Sequence, residues 1–152
     1  MTLIQATDQH LTELMSWFSN EEELSIWSGP NCRFPFDVTS FKHDIKFESL
    51  KSFVLMSNEN KLLGFGQYYL RLGRCHLGRL VVNPQCRGQG MITYLIQELS
   101  SLGKADFNVE TCSLFVLEHN QSAIRAYTKL GFFMADYPEE MQLENCLYMI
   151  KT

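Results

Sequence analysis

Gly88 and Gly90 are the residues whose type and spacing point most directly to chemistry. They stand in LGRLVVNPQCRGQGMITYLIQELSSL, residues 77–102. This stretch begins as an apolar strand, breaks at Asn83-Pro84 and turns through Gly88-Gln89-Gly90. It then continues with Ile92, Leu95, Ile96, Leu99 and Leu102 on one helical face. Glycine adopts backbone conformations that a β-carbon hinders and lets a ligand come close. The first N–H groups of a helix have no partner within it and carry the positive end of its dipole. A glycine turn at such an end is an anion site suited to a phosphate or pyrophosphate, and Arg87 can add a full charge. The other reading is a tight strand-to-helix turn without a ligand. No Lys-Ser or Lys-Thr follows the glycines, which excludes the nucleoside-triphosphatase loop. Thr93 stands where the dinucleotide fingerprint needs its third glycine.

Other reactive side chains have competing readings. Tyr127 could donate a phenolic proton, or it could simply pack, since it shares an apolar helical face with Ala123 and Leu130. His76 has the pKa range of a base, or is a packed strand residue. Glu118 and His119 are explained as well by helix capping as by proton transfer. Cys32, Cys75, Cys86, Cys112 and Cys146 are odd in number, widely spaced and without a C-x-x-C pair. That predicts reduced, packed thiols rather than disulfides, a metal site or cysteine catalysis. Trp27, Ser28, Phe34 and Phe36 fall in a segment interrupted by Gly29, Pro30 and Pro35, which predicts an irregular loop that plugs a core or lines a pocket. The run Glu21-Glu22-Glu23 is expected to stabilise a helix N-terminus; attraction of a cationic substrate is the alternative.

The elements that would position these residues follow from periodicity. A strand at 3–6 precedes a helix capped by Thr7 or Asp8, with Leu11, Leu14, Met15 and Phe18 inward. Asn20 and Asp37 are expected to cap two more helices. Segments 51–57, 62–72 and 75–82 read as an antiparallel meander, and Gly64 and Gly66 predict a bulge or a close backbone approach. A strand at 109–117, a helix opening at His119-Asn120 and stopping at Gly131, and closing strands at 132–135 and 143–150 complete a mixed α/β order.

The 152 residues predict a single domain, 1–152, with a real core. No apolar run reaches the ~18 residues of a membrane span, and the N-terminus lacks the pattern of a secretory signal. Cytoplasmic localisation is therefore expected, with no membrane partner. A net charge of −4 without a basic block argues against nucleic acid.

Two segments carry a family resemblance. Gln85, Gly88 and Gly90 match the Q/R-x-x-G-x-G/A coenzyme A signature of the GNAT superfamily of N-acetyltransferases. Asn120 to Phe132 resembles the family's N-x-x-A-x-x-x-Y-x-x-x-G-F segment. The resemblance implies a mostly antiparallel central sheet of about six to seven strands, with about four helices on its two faces. The sheet would be splayed between strands 75–82 and 109–117.

It also implies acetyl-CoA as cosubstrate, without a metal. Backbone of Leu80, Val81 and Val82 would bond the pantetheine arm, and amides from Arg87 through Gly88, Gln89, Gly90, Met91 and Ile92 would hold the pyrophosphate. Asn120 and Tyr127 would lie near the thioester. The implied reaction is direct attack of a primary amine, on a small molecule or a peptide, in a ternary complex. Tyr127 would be the proton donor, and His76 or a water chain the base. Phe115 occupies the position where one branch carries a glutamate, and the strand before the glycine turn has no carboxylate where other branches carry one; both absences weaken the case for the ribosomal-protein and histone branches. The acceptor wall is expected to comprise Trp27, Ser28, Phe34, Phe36 and Tyr68. A coenzyme-A-binding sensor or partner subunit without transferase activity is the alternative. The closing strand could also pair or pack across a homodimer, although burial in its own sheet is favoured.

Overall fold

The computed structural model describes residues 1–141 and 143–152. Seven strands form one sheet: β1 (Thr2–Gln5), β2 (Lys51–Met56), β3 (Leu62–Arg71), β4 (Arg74–Val82), β5 (Cys112–Leu117), β6 (Phe133–Ala135) and β7 (Cys146–Lys151). Their spatial order is β1-β2-β3-β4-β5-β7-β6, and every adjacent pair is antiparallel except β4 with β5. The five described helices are α1 (Asp8–Met15), α2 (Glu21–Ser28), α3 (Val38–Asp44), α4 (Met91–Phe107) and α5 (Gln121–Lys129). The residue reading predicts these five, and the family resemblance about four.

The expected caps form. Thr7, Asn20 and Asp37 are the N-caps of α1, α2 and α3, and the Asn20 and Asp37 side chains accept from Glu23 N and Ser40 N. Three boundaries differ from expectation. Residues 25–28 are helical rather than irregular, because Gly29 and Pro30 end α2 without disturbing the turn before them. The last strand starts at Cys146 rather than at residue 143, and β5 at Cys112 rather than at 109.

Two apolar layers sandwich the sheet. One contains Leu95, Ile96 and Leu99 of α4 and Tyr127 of α5, packed on Leu77 and Leu114. The other joins Leu11, Leu14, Leu24 and Phe41 of α1, α2 and α3 to Val54 and Phe65. Gly66 carries no side chain because a β-carbon there would collide with Leu99 and lie 2.9 Å from Leu80 Cδ2. The glycine therefore lets α4 seat against the meander, the close approach that its place in a strand predicts.

Trp27 belongs to the second layer. It stacks on Phe18 at 4.5 Å and on Phe41 at 5.8 Å between ring centroids, and meets Phe65 edge-on. Phe34 and Phe36 pack beside it, with Phe36 5.1 Å from Phe41. The aromatic segment is thus a core plug. Trp27→Ala is expected to lower the unfolding free energy by about 3 kcal/mol through loss of packing. Urea titration measures this, and an unaltered midpoint would contradict the plug.

Candidate functional site

The strand split is visible in the register. β4 and β5 pair only at Cys75↔Cys112, His76↔Ser113 and Leu77↔Leu114. Beyond Leu77 the strands part, so Leu80 to Val82 face a gap. Phe115 to Leu117 bond β7 on their other side. A bulge starts the divergence: the β3–β4 register shifts between Phe65 and Gln67, opposite Gly78 to Val81, and Arg79 has φ 48°.

A left-handed backbone at a long side chain costs of order 1 kcal/mol, and the Arg79 side chain supplies the compensation. Its Nε donates to Ser28 Oγ at 2.8 Å and one terminal nitrogen donates to Gln67 Oε1 at 3.0 Å. The other terminal nitrogen donates to the Asp44 carbonyl at 3.4 Å. Gln67, fully buried, donates in turn to the Ile45 carbonyl and Ser52 Oγ. Asp44 is fixed by a bidentate Arg33, which holds its carboxyl well below the usual range. A polar network on the helical face therefore holds the sheet open. Arg79 and Gln67 are absent from the sequence reading, and no local pattern marks them, because the partners come from four separate segments.

The glycine turn stands at the end of that gap. Asn83 caps a single 3-10 turn, Pro84–Cys86, by accepting from Gln85 N, and its amide donates to the Leu62 carbonyl. Gly88 and Gly90 have φ of 79° and 77°, and a β-carbon on either would meet no atom within 4 Å. They are needed for conformation and for open space rather than for packing. Gly90 is the N-cap of α4 and makes no side-chain cap, so the leading amides of α4 face outward. Gln85, Arg87, Gly88, Gln89 and Gly90 are exposed, and Met91 and Ile92 are half-buried. This arrangement fits a pyrophosphate on the amides, with an extended amide-bearing arm alongside Leu80 to Val82.

Asn120 is the N-cap of α5; its Oδ1 accepts from Ala123 N and Ser122 Oγ, both at 3.3 Å. Tyr127 lies about two turns further along α5, nine-tenths buried in the same layer as Leu80, Val82 and Met91. Burial pushes its phenol up to about 12, so it holds its proton at neutral pH.

Three groups of expected site residues take packed or hydrogen-bonded positions. His76 is 1% exposed; burial, aided by the Arg71 charge, pushes its pKa down to about 3. Its Nδ1 bonds Ser113 Oγ at 2.8 Å. Such an imidazole is too weak a base to take a proton from an ammonium group of pKa ~10. Tyr68 is on the α4 face, its hydroxyl donating to Asp106 at 3.0 Å and its ring stacked on Phe53, so it cannot line the opposite face. The alternation of side chains puts its neighbour Tyr69 there instead. Trp27, Phe34 and Phe36 lie on the expected face but as packing, and Ser28 serves Arg79.

The state of His76 has a measurable consequence. The unfolded imidazole binds a proton near pH 6.5 and the folded one only near 3, so the unfolded chain holds more protons in between. Stability should therefore fall on acidification through that window, by ~1.4 kcal/mol per pH unit from this group. Urea unfolding of wild type and His76→Gln at several pH values measures it. Parallel slopes would show that the folded imidazole is protonated.

Residues 11–132 match the family model of the acetyltransferase (GNAT) family. The chain belongs to that family. Its fold is shared by a chimera of the Vibrio cholerae spermidine N-acetyltransferase SpeG with hSSAT, at TM-score 0.76 and 15% identity over 99% of this chain and 95% of that one. AAC(6')-Ib, solved with paromomycin and acetyl-CoA, aligns at TM-score 0.75 and 21% identity over 99% and 92%. The ribosomal-protein-alanine N-acetyltransferase of Brucella melitensis aligns at 0.71 and 18% over 99% of both chains. No helix among the described residues is long and apolar enough to cross a membrane.

Proposed function

We propose that the protein transfers an acetyl group from acetyl-CoA to a primary amine by direct attack, with both substrates bound together. The observation that carries this reading is the conjunction of the β4–β5 split with the glycine turn at its end. The split leaves Leu80 to Val82 without a partner on the β5 side, although Val81 and Val82 pair with β3 on the other, and the turn offers outward amides from Arg87 to Ile92. Membership of the acetyltransferase (GNAT) family supports it further.

Acetyl-CoA brings the activated acyl group as a thioester. The chain's own contribution is placement: two bound reactants held in one gap gain much of their acceleration from proximity. Asn120, as a cap, fixes the start of α5 and hence the position of Tyr127. The Tyr127 phenol, neutral at physiological pH, donates a hydrogen bond or a proton to the departing sulfur. With His76 buried and neutral, and a phenyl ring at position 115, the ammonium proton leaves through water.

Free thiol release from acetyl-CoA in the presence of polyamines, amino acids, aminoglycosides and peptides tests the reading. Amine-dependent release is expected. Tight binding of acetyl-CoA without release would point instead to a coenzyme A sensor.

A further inference from the structure

On the face of the sheet that carries α1 to α3, a cationic and aromatic cluster covers the point where β4 and β5 begin to part. Its centre is Arg71. The guanidinium donates to Tyr137 Oη at 2.7 Å and to Tyr69 Oη at 3.2 Å, and it lies over the rings of Tyr69 and Phe115 at 5.3 and 5.1 Å. Phe115 immediately follows the last paired residue of β5, and a β-carbon on Gly78 would be 3.5 Å from the Tyr69 ring. The cluster therefore sits over the fork itself.

Its charge is unbalanced. Arg71 stands directly across the hairpin from Arg74, a like-charge pair that costs stability. Among the described residues neither arginine has a carboxylate within 4.0 Å, whereas on the same face Arg33 has one and Lys42 two. The Nε atoms of both Arg71 and Arg74 are buried without a partner. In a chain of net charge −4, with 17 acidic residues, such a cluster is unusual. Two phenols fix the Arg71 fork in place, and part of its donor set stays free. Each terminal nitrogen gives one N–H to a phenol and keeps a second, and a planar guanidinium matches a carboxylate.

We propose that the acceptor is a small primary amine that also carries a carboxylate, and that Arg71 binds this carboxylate over the fork while the amine reaches the split. The proposal rests on the N-acetyltransferase reading above and narrows its substrate class. A polycationic amine would be repelled by the same cluster, and a neutral amine would leave the charge uncompensated.

The test compares amino acids with their primary carboxamides, and with diamines and peptide amides of similar length, by acetyl-CoA-dependent thiol release. The carboxylates are expected to exceed the carboxamides about tenfold or more in kcat/KM. Arg71→Met should raise the KM of the carboxylate about 10- to 100-fold, leaving kcat and the KM of acetyl-CoA nearly unaltered and removing the preference. Arg71→Lys should restore part of it. Preference for diamines, carboxamides or peptide amides, or equal losses on both members of a pair, would overturn the proposal.

If no amine in the panel supports release, the transferase reading fails separately. Calorimetry of the same amino acids on the coenzyme-A-saturated protein then decides the Arg71 site. Binding that Arg71→Met removes supports it, and absence of binding overturns it. Should Arg71→Met not fold, Tyr137→Phe, which frees the guanidinium of one anchor, is expected to raise the carboxylate KM several-fold; no change would count against the site.

Discussion

Gly90→Val is expected to weaken acetyl-CoA binding about 100-fold while the protein stays folded. Gly90 sits at φ 77° and ψ 10°, the left-handed region, at the head of α4. A β-branched residue there costs about 1–3 kcal/mol, equivalent to roughly 5- to 150-fold in an equilibrium constant. The strain can be relieved only by rotating the peptide units whose amides face the ligand. The added β-carbon would meet no protein atom within 4 Å, so the side chain enters the space from which a pyrophosphate would approach. The turn is exposed and bears no core contact, which keeps the effect local. Calorimetry with acetyl-CoA measures it, with Gln89→Ala as a control of near wild-type affinity. An unchanged Kd for Gly90→Val would remove the turn from the binding site.

Tyr127→Phe is expected to lower kcat about 100-fold, within the range for a positioned proton donor, with acetyl-CoA affinity retained. The substitution deletes one oxygen from a side chain that otherwise packs in the α4–α5 layer, so folding should be little affected. Burial holds the phenol at about 12, so a donor role makes the wild-type rate insensitive to tyrosine ionisation across pH 7–10. The limb due to its loss would appear only as pH rises toward 12. Steady-state kinetics separates the two roles. A drop in kcat alone identifies transition-state assistance, and an equal kcat in both proteins would leave Tyr127 as packing.

Much of the donor half was legible because its determinants are local. A glycine turn, an asparagine cap and a helix stop are specified by a few neighbouring residues, and the caps at Thr7, Asn20 and Asp37 and the bulge near Gly66 followed the same logic. The acceptor half was not legible, because it depends on which face of the sheet a side chain occupies. The sequence reading placed Tyr68 on the acceptor wall. Tyr68 instead reaches Asp106 across the α4 face, and Tyr69 holds Arg71. A strand reverses its faces at each residue, and a bulge such as that at Arg79 shifts the alternation again.

The amino-acid sequence by itself determined the elements, their caps, the glycine turn and the family, since these depend on short-range backbone preferences and on motif spacing. The tertiary structure decided the rest. It turned Trp27 into a core plug, made His76 a neutral packed imidazole and tied Arg79 to Ser28, Gln67 and Asp44. It also gathered Arg71, Tyr137 and Phe115 over the fork from three distant segments. Burial, charge pairing and hydrogen bonding between segments far apart in the chain set those outcomes, and they exist only once the sheet has assembled.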